Sequence, residues 1–191
     1  QLWWAWRGLV QRFLRAESRL PGDAAKRSDT VAADERPVVV YLTRGKTGIR
    51  QLRDEDAMVD ALRKLVGGQS IGGGEVVVAS VSSLAETFGV FSRATVVVLT
   101  HGAATVNAPL LRVNAGLVDI DSEAPPLLPM VPSWIHVEAV RAECRPAGKF
   151  KCGDSSSFHD LQLGPHGVAG VVSAVQRIIE RQRGGEPVLD V

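Results

Sequence analysis

Short, unbroken apolar runs alternate along this chain with longer stretches in which apolar residues return every three or four positions. The runs PVVVYLT (37–43), EVVVASV (75–81), TVVVLT (95–100) and GLVDID (116–121) are too short for helices and show little polar alternation. They predict strands covered on both faces. The longer stretches predict helices over 53–68, 82–94 and about 166–183. The first helix has readable ends. Asp54, Glu55 and Asp56 lie at the positive end of its dipole, Arg63 and Lys64 near the other, and Gly67-Gly68 offers a left-handed stop. Ala57, Met58, Ala61, Leu62 and Leu65 form its predicted buried stripe. The second helix opens with a capping box, Ser83 to Glu86, and the third buries Val168, Val171, Val172, Val175, Ile178 and Ile179. Strands and helices in this alternation specify the α/β class: a Rossmann-like parallel sheet with helices on both faces. No internal repeat is present. Residues 122–165, rich in Pro, Ser and Gly, read mostly as loop, with one short strand around SWIHVEAV (133–140).

Upstream, Trp3, Trp6, Val10, Phe13 and Leu14 recur at helical spacing with Arg12, Arg15 and Arg19 between them. They predict an amphipathic helix over 1–21, ended by Pro21-Gly22. Residues 22–36 read as a linker and residues 37–191 as the α/β domain. The tryptophans form a packing anchor suited to the surface of a neighbouring lobe. LWWAW (2–6) is broken by Arg7 and is far shorter than the roughly 20 apolar residues of a bilayer span. It also lacks the layout of a signal peptide. Starting on Gln rather than Met, the sequence is expected to be part of a longer chain.

At 191 residues and 45% hydrophobic, the chain can bury a full core, and its low aromatic content with abundant Val, Ala and Gly suits a parallel sheet. A net charge of +1 gives no electrostatic footprint for nucleic acid. The charge is unevenly spread, however. Residues 1–53 carry eleven Lys/Arg against five Asp/Glu and end in the cluster Arg44, Lys46, Arg50 and Arg53. Such a cluster is either a solvated patch or a grip for a small anion. Cys144 and Cys152 lack zinc-site spacing; a short loop disulfide and two free thiols both remain open.

In an open α/β sheet, ligands bind beyond the carboxyl ends of the strands, and two stretches fall there. RGKTGIRQLRDE (44–55) follows the first strand, and its arginines can grip phosphate in bidentate fashion. HGAATVN (101–107) follows the third. Gly102, Ala103 and Ala104 add almost no bulk at a predicted helix start, so N–H groups and dipole can meet an anion; the alternative is a tight turn with a polar cap. Neither stretch has the spacing of a P-loop or the GxGxxG dinucleotide fingerprint, which weakens a nicotinamide-dependent reading. His101 is the leading candidate for ligand contact, the alternative being a helix cap. Arg50 is the next, the alternative being an ion pair with Asp54 or Glu55. His136 lies in an apolar run and reads as structural, while His159 and His166 carry no assignment. Glu138 and Asp160 have no recognisable acid–base partner, and no Ser-His-Asp or Cys-His arrangement is present.

Taken in order, these phrases resemble the C-terminal half of glycosyltransferase family 61. That family shows a strand ending in Ser-Arg, then an Arg followed by Ile/Leu and by Asn-Glu opening a helix. An "lfs.ad" phrase leads to a strand with HGAGLTNxLFLPPG, and a further strand ends in an acidic residue. The counterparts here are Thr43-Arg44, Arg50, Leu52, Asp54-Glu55, VFSRATVVVLT, His101-Gly102-Ala103, Asn107 and Asp119, over roughly residues 8–121. The sequence departs from the pattern at Ala104, at Asp54 and in LLRVNAG (110–116).

The resemblance implies the C-terminal lobe of a two-lobed GT-B transferase that binds a nucleotide sugar, usually a UDP-sugar. It implies donor and phosphate contacts from Arg44, Arg50, His101, Gly102, Ala103 and Asn107, with Lys46, Glu55, Asp119 and Glu123 as further candidates. The implied reaction moves the sugar to a glycan or protein hydroxyl with inversion, without a bound metal or other cofactor. An N-terminal lobe would supply the catalytic base and most of the acceptor site, so this chain alone is expected not to turn over. The implied partners are the nucleotide sugar, a glycan or glycoprotein acceptor and that lobe, with no nucleic acid. The implied location is the ER or Golgi lumen. The alternative is a noncatalytic α/β module that binds a nucleotide or a partner protein.

Overall fold

The computed structural model describes residues 8–10, 12, 30–45, 51–68, 71–121, 132–146 and 160–185. Five strands form one sheet: β1 (Val38–Leu42), β2 (Glu75–Ala79), β3 (Val96–Thr100), β4 (Gly116–Asp121) and β5 (His136–Arg141). Their order is β2-β1-β3-β4-β5 and every pairing is parallel. The predicted class and Rossmann-like sheet are therefore the observed ones. The alternation of a strand explains why unbroken apolar runs were needed. Val39, Tyr41, Val96, Val98, Val118 and Ile120 face one layer; Val38, Val40, Leu42, Val97, Leu99 and Leu117 face the other. Full burial of each Val or Leu contributes roughly 1.5–3 kcal/mol, so both layers hold every central strand.

Three helices, α1 (Glu55–Gly67), α2 (Leu84–Phe91) and α3 (Gly164–Gly184), and a 3-10 helix (Ala103–Leu110) cover the sheet. The first layer holds α1 and α3, the second α2 and the 3-10 helix. Several local expectations change. α1 buries Met58, Val59, Leu62 and Val66, while Ala57 is exposed; the helix is rolled to put larger apolar groups inward. It ends with Gly68 extended rather than left-handed. Asp54 makes no side-chain cap on α1; its Oδ2 accepts the Gly164 N–H, 2.6 Å away, at the start of α3. At α2 the predicted cap is in place: Ser83 Oγ accepts from Glu86 N at 3.2 Å, and the Glu86 carboxylate accepts mainly from Ser82 N and Oγ, with a smaller contribution from Ser83. After His101 the chain forms a 3-10 helix rather than an α-helix, with Pro109 inside it. A proline there removes a donor and disfavours α geometry in the residue before it.

The region read as loop also contains a two-stranded antiparallel ribbon, β6 (Glu143–Arg145) and β7 (Asp160–Gln162). It is docked onto the segment entering α1. Leu52 bridges Leu161, and the Asp160 carboxylate accepts Gln51 N and pairs with Arg53 at 3.3 Å. Cys144 is disulfide-bonded, and the second cysteine, Cys152, lies outside the described residues. Of the predicted N-terminal helix, residues 8–10 and 12 are helical, and Val10 is buried against the second layer. Val31 is buried and Thr30 bridges Val113. Among the described residues no helix is long and apolar enough to cross a membrane.

Glu138, on β5, meets Arg177 and Arg181 of α3 at 2.8 and 3.1 Å. The Arg177 hydrogen bond holds its carboxyl below the ordinary 4.5, against the opposing pull of burial. A depressed carboxyl stabilises the fold above its ordinary value, and that contribution is lost as pH falls through the lower folded value. With Arg177 48% exposed, solvent screening limits the effect to about 1 kcal/mol or less. Glu138→Gln is expected to lower Tm at neutral pH and to match the unsubstituted chain once pH drops well below 4.5. Calorimetric scans across that range check this; a gap independent of pH would assign Glu138 no such role.

Candidate functional site

Strand order reverses at β1 and β3: the chain goes outward from β1 to β2, then back past β1 to β3 and β4. The carboxyl ends of β1 and β3 therefore border a crevice. Leu99 faces the second layer, so His101, two residues on, emerges on that side, and Arg44, just past β1, reaches across to the end of β3. They are tied to each other. Arg44 donates from Nε to Thr100 Oγ1 and from Nη2 to the His101 carbonyl, both at 3.0 Å.

β4 supplies the floor. Val118 and Ile120 point into the first layer, which leaves Asp119 and Asp121 on the His101 side. His101 Nδ1 lies 2.9 Å from Asp119 Oδ2 and 3.8 Å from Asp121 Oδ2. Both carboxylates are buried, while the imidazole is 22% exposed at the crevice. The arrangement is an imidazole on the rim with two acids beneath it.

The backbone of the turn is equally specific. His101 N donates to Ile120 O at 2.8 Å, which carries the β3–β4 ladder one residue past the strand. Gly102 then adopts φ 147 and ψ −154, a region open essentially to glycine alone. Its carbonyl accepts both the N–H and the hydroxyl of Thr105, closing the first 3-10 turn. That geometry gives the N–H groups of Ala103 and Ala104 no i−3 acceptor inside the helix. Ala104, one of the departures from the family phrase, has no positive φ to accommodate.

On the opposite, first-layer side, Glu55 Oε2 accepts from Tyr41 OH at 3.1 Å and Thr43 Oγ1 at 3.0 Å, pinning the start of α1 to the end of β1. Burial, reinforced by the Glu55 charge, pushes the Tyr41 phenol well above its ordinary value, so it remains a donor. A cleft of about 700 Å³ opens on this side between the starts of α1 and α3, lined by Arg53, Asp54, Asp56, Gln162 and Pro165 among others.

Of the residues singled out in the sequence, Arg44, His101, Gly102, Ala103 and Asp119 come together. Asn107 lies further along the 3-10 helix and is half-buried, and Glu55 is on the other side of the strand ends. Lys46, Arg50 and Glu123 lie outside the described residues. Asp121 joins them, because the Asp119-Ile120-Asp121 alternation at the end of a strand places both acids on one face. His136 is buried with Nε2 2.8 Å from Asn114 Oδ1, a structural contact as read. Among the described residues no group of three His, Cys, Asp or Glu is arranged to hold a metal ion.

A model of the Glycosyltransferase 61 family matches residues 7–118, more than half of the chain. The match runs from the N-terminal segment through β1, α1, β2, α2, β3 and the first half of β4. Comparison with curated proteins gives no match.

Proposed function

This chain belongs to glycosyltransferase family 61, and on that premise we propose that residues 37–191 form a donor-binding lobe holding a UDP-sugar at the β1–β3 crevice. The observation that supports it most is the tie between Arg44 and His101 beside a glycine-only turn, where a cation, an imidazole and open N–H groups converge. As an acceptor hydroxyl attacks the anomeric carbon, negative charge grows on the departing diphosphate, and donors already aimed there lower the barrier. Arg44, His101 and the Gly102-Ala103 backbone take that role, with Arg50 and Lys46 adding charge and Asn107 fixing the loop or the donor. Attack from the face opposite the diphosphate gives inversion, with the base supplied by an N-terminal lobe. That lobe also carries most of the acceptor site, for a glycan or glycoprotein, and neither a metal nor another cofactor is required. The Cys144 disulfide supports an oxidising compartment, the ER or Golgi lumen.

Titration calorimetry with UDP, GDP and NAD tests the donor reading. Saturable UDP binding is expected, weakened by about tenfold or more in His101→Ala, the scale of a lost charge-assisted hydrogen bond. A folded chain that binds no nucleotide, or binds UDP equally well without His101, would favour the noncatalytic module.

A further inference from the structure

We propose that Glu55 is a positioning residue for the diphosphate grip: its carboxylate holds the Thr43 hydroxyl, and that hydroxyl shapes the Thr43–Gly45 turn from which Arg44 reaches the end of β3. This rests on the donor-lobe reading above. The contacts form a chain. Tyr41 OH and Thr43 Oγ1 both donate to Glu55 Oε2, at 3.1 and 3.0 Å, and Thr43 Oγ1 accepts the Gly45 N–H at 3.0 Å. Gly45 has a φ of 58°, in the left-handed region, and its carbonyl accepts from Gln51 Nε2 at 3.3 Å. Between the two ends of that turn stands Arg44, whose guanidinium donates to Thr100 Oγ1 and to the His101 carbonyl.

A hydroxyl has a single hydrogen to give. Glu55 takes the one on Thr43, so the lone pairs of Oγ1 are left to face the Gly45 N–H. Without that acceptor the hydroxyl is free to rotate, and the turn loses the side chain that fixes it. Glu55 is itself well held. Tyr41 is buried, and burial together with the Glu55 charge keeps its phenol above the ordinary value, so it remains a donor. The Thr43 backbone is tied down as well, its N–H donating to the Ala79 carbonyl at 2.9 Å. The Glu55 carboxylate lies with Tyr41 on the first-layer side of the strand ends, whereas His101 emerges on the second. A direct contact with a diphosphate would also set like charges against each other. Glu55 therefore serves the grip through the shape of the turn, and an uncharged acceptor in the same place can do the same.

The test measures UDP affinity and Gly45 amide exchange in the whole chain, with uridine as the phosphate-free control and Tm recorded for each variant. Glu55→Ala is expected to weaken UDP about tenfold, with no change for uridine. Thr43→Val, which keeps the branched shape and removes the hydroxyl, is expected to weaken it by a similar factor, and carries the comparison even if Glu55→Ala fails to fold. The double variant is expected to lose clearly less than the product of the two. Glu55→Gln keeps a hydrogen-bonding side chain of the same length and is expected to stay within about threefold of the unsubstituted chain. Gly45 exchange is expected to quicken in Glu55→Ala and Thr43→Val and not in Glu55→Gln. A fall in Tm with UDP affinity unchanged would overturn the proposal and leave Glu55 a purely structural role. Equal losses in Glu55→Gln and Glu55→Ala would also overturn it, since the charge and not the turn would then matter. If the unsubstituted chain binds no UDP, the donor reading fails. Gly45 exchange, which needs no nucleotide, then decides separately whether Glu55 orders the turn.

Discussion

Glu35→Ala is expected to destabilise the domain by about 3–5 kcal/mol, a fall in Tm on the order of 10 °C. The reason lies with its partner. Arg112 is 2% exposed and forks onto the Glu35 carboxylate, with both terminal nitrogens 2.9 Å from its oxygens. Its remaining contacts are weaker: Nη2 reaches the Ala94 and Arg93 carbonyls at 3.4 and 3.5 Å, and Nε has no hydrogen-bond partner. Removing Glu35 therefore leaves a buried guanidinium with little to balance it. The reverse change is milder. Arg112→Met takes the charge out of the interior and leaves Glu35, at 23% exposure, where water can reach it. Urea unfolding of both variants and the double variant checks the asymmetry. If Arg112→Met proved the more damaging, the pair would not be governed by burial of the arginine. The pair also matters to the site, because Arg112 anchors the far end of the segment that begins at His101.

That pair was illegible in the sequence for a plain reason: its members are 77 residues apart, and no local pattern marks either one. The buried strands were legible because a parallel strand covered on both faces must be apolar at every position. That uniformity conceals which residue faces which layer, so the contacts of Asp119 and Asp121 emerged only with the structure. His101-Gly102 was readable as a site because a core strand ended there on small residues. The 3-10 geometry that follows had a signal in Pro109, outweighed by its helix-compatible neighbours. The β6–β7 ribbon had none, being three residues per strand and held by contacts such as Gln51 to Asp160, 109 positions away. α1 shows the limit of periodicity. The stripe was read one roll away from the observed one because Ala and Val fit a helical pattern equally well, and only packing against α3 and the sheet chooses between them.

Gly116→Ala is the second large effect, expected to cost about 3 kcal/mol, the upper end of the usual range for overpacking. A Cβ there would lie 2.4 Å from Ile178 Cγ2 and 3.0 Å from its Cδ1. Neither side can easily retreat. Gly116 opens β4 between Val96 and His136, so moving it disturbs ladders on both edges. Ile178 is fully buried on α3, and the same helix is fastened by Gln182 Nε2 to the carbonyls of Thr95 and Asn114. Ile178→Ala removes the two clashing carbons and on its own costs about 2–5 kcal/mol as a cavity. Combined, the added methyl occupies part of that space, so the double variant should fall short of the summed losses by about 1 kcal/mol or more. Strictly additive urea-unfolding energies would rule out this contact as the cause. The strain would also reach the site: three residues on, β4 carries Asp119, and a strand pushed off α3 shifts the carboxylate that holds His101. Glycine at the start of β4 is therefore a condition of the site's geometry as well as of the core.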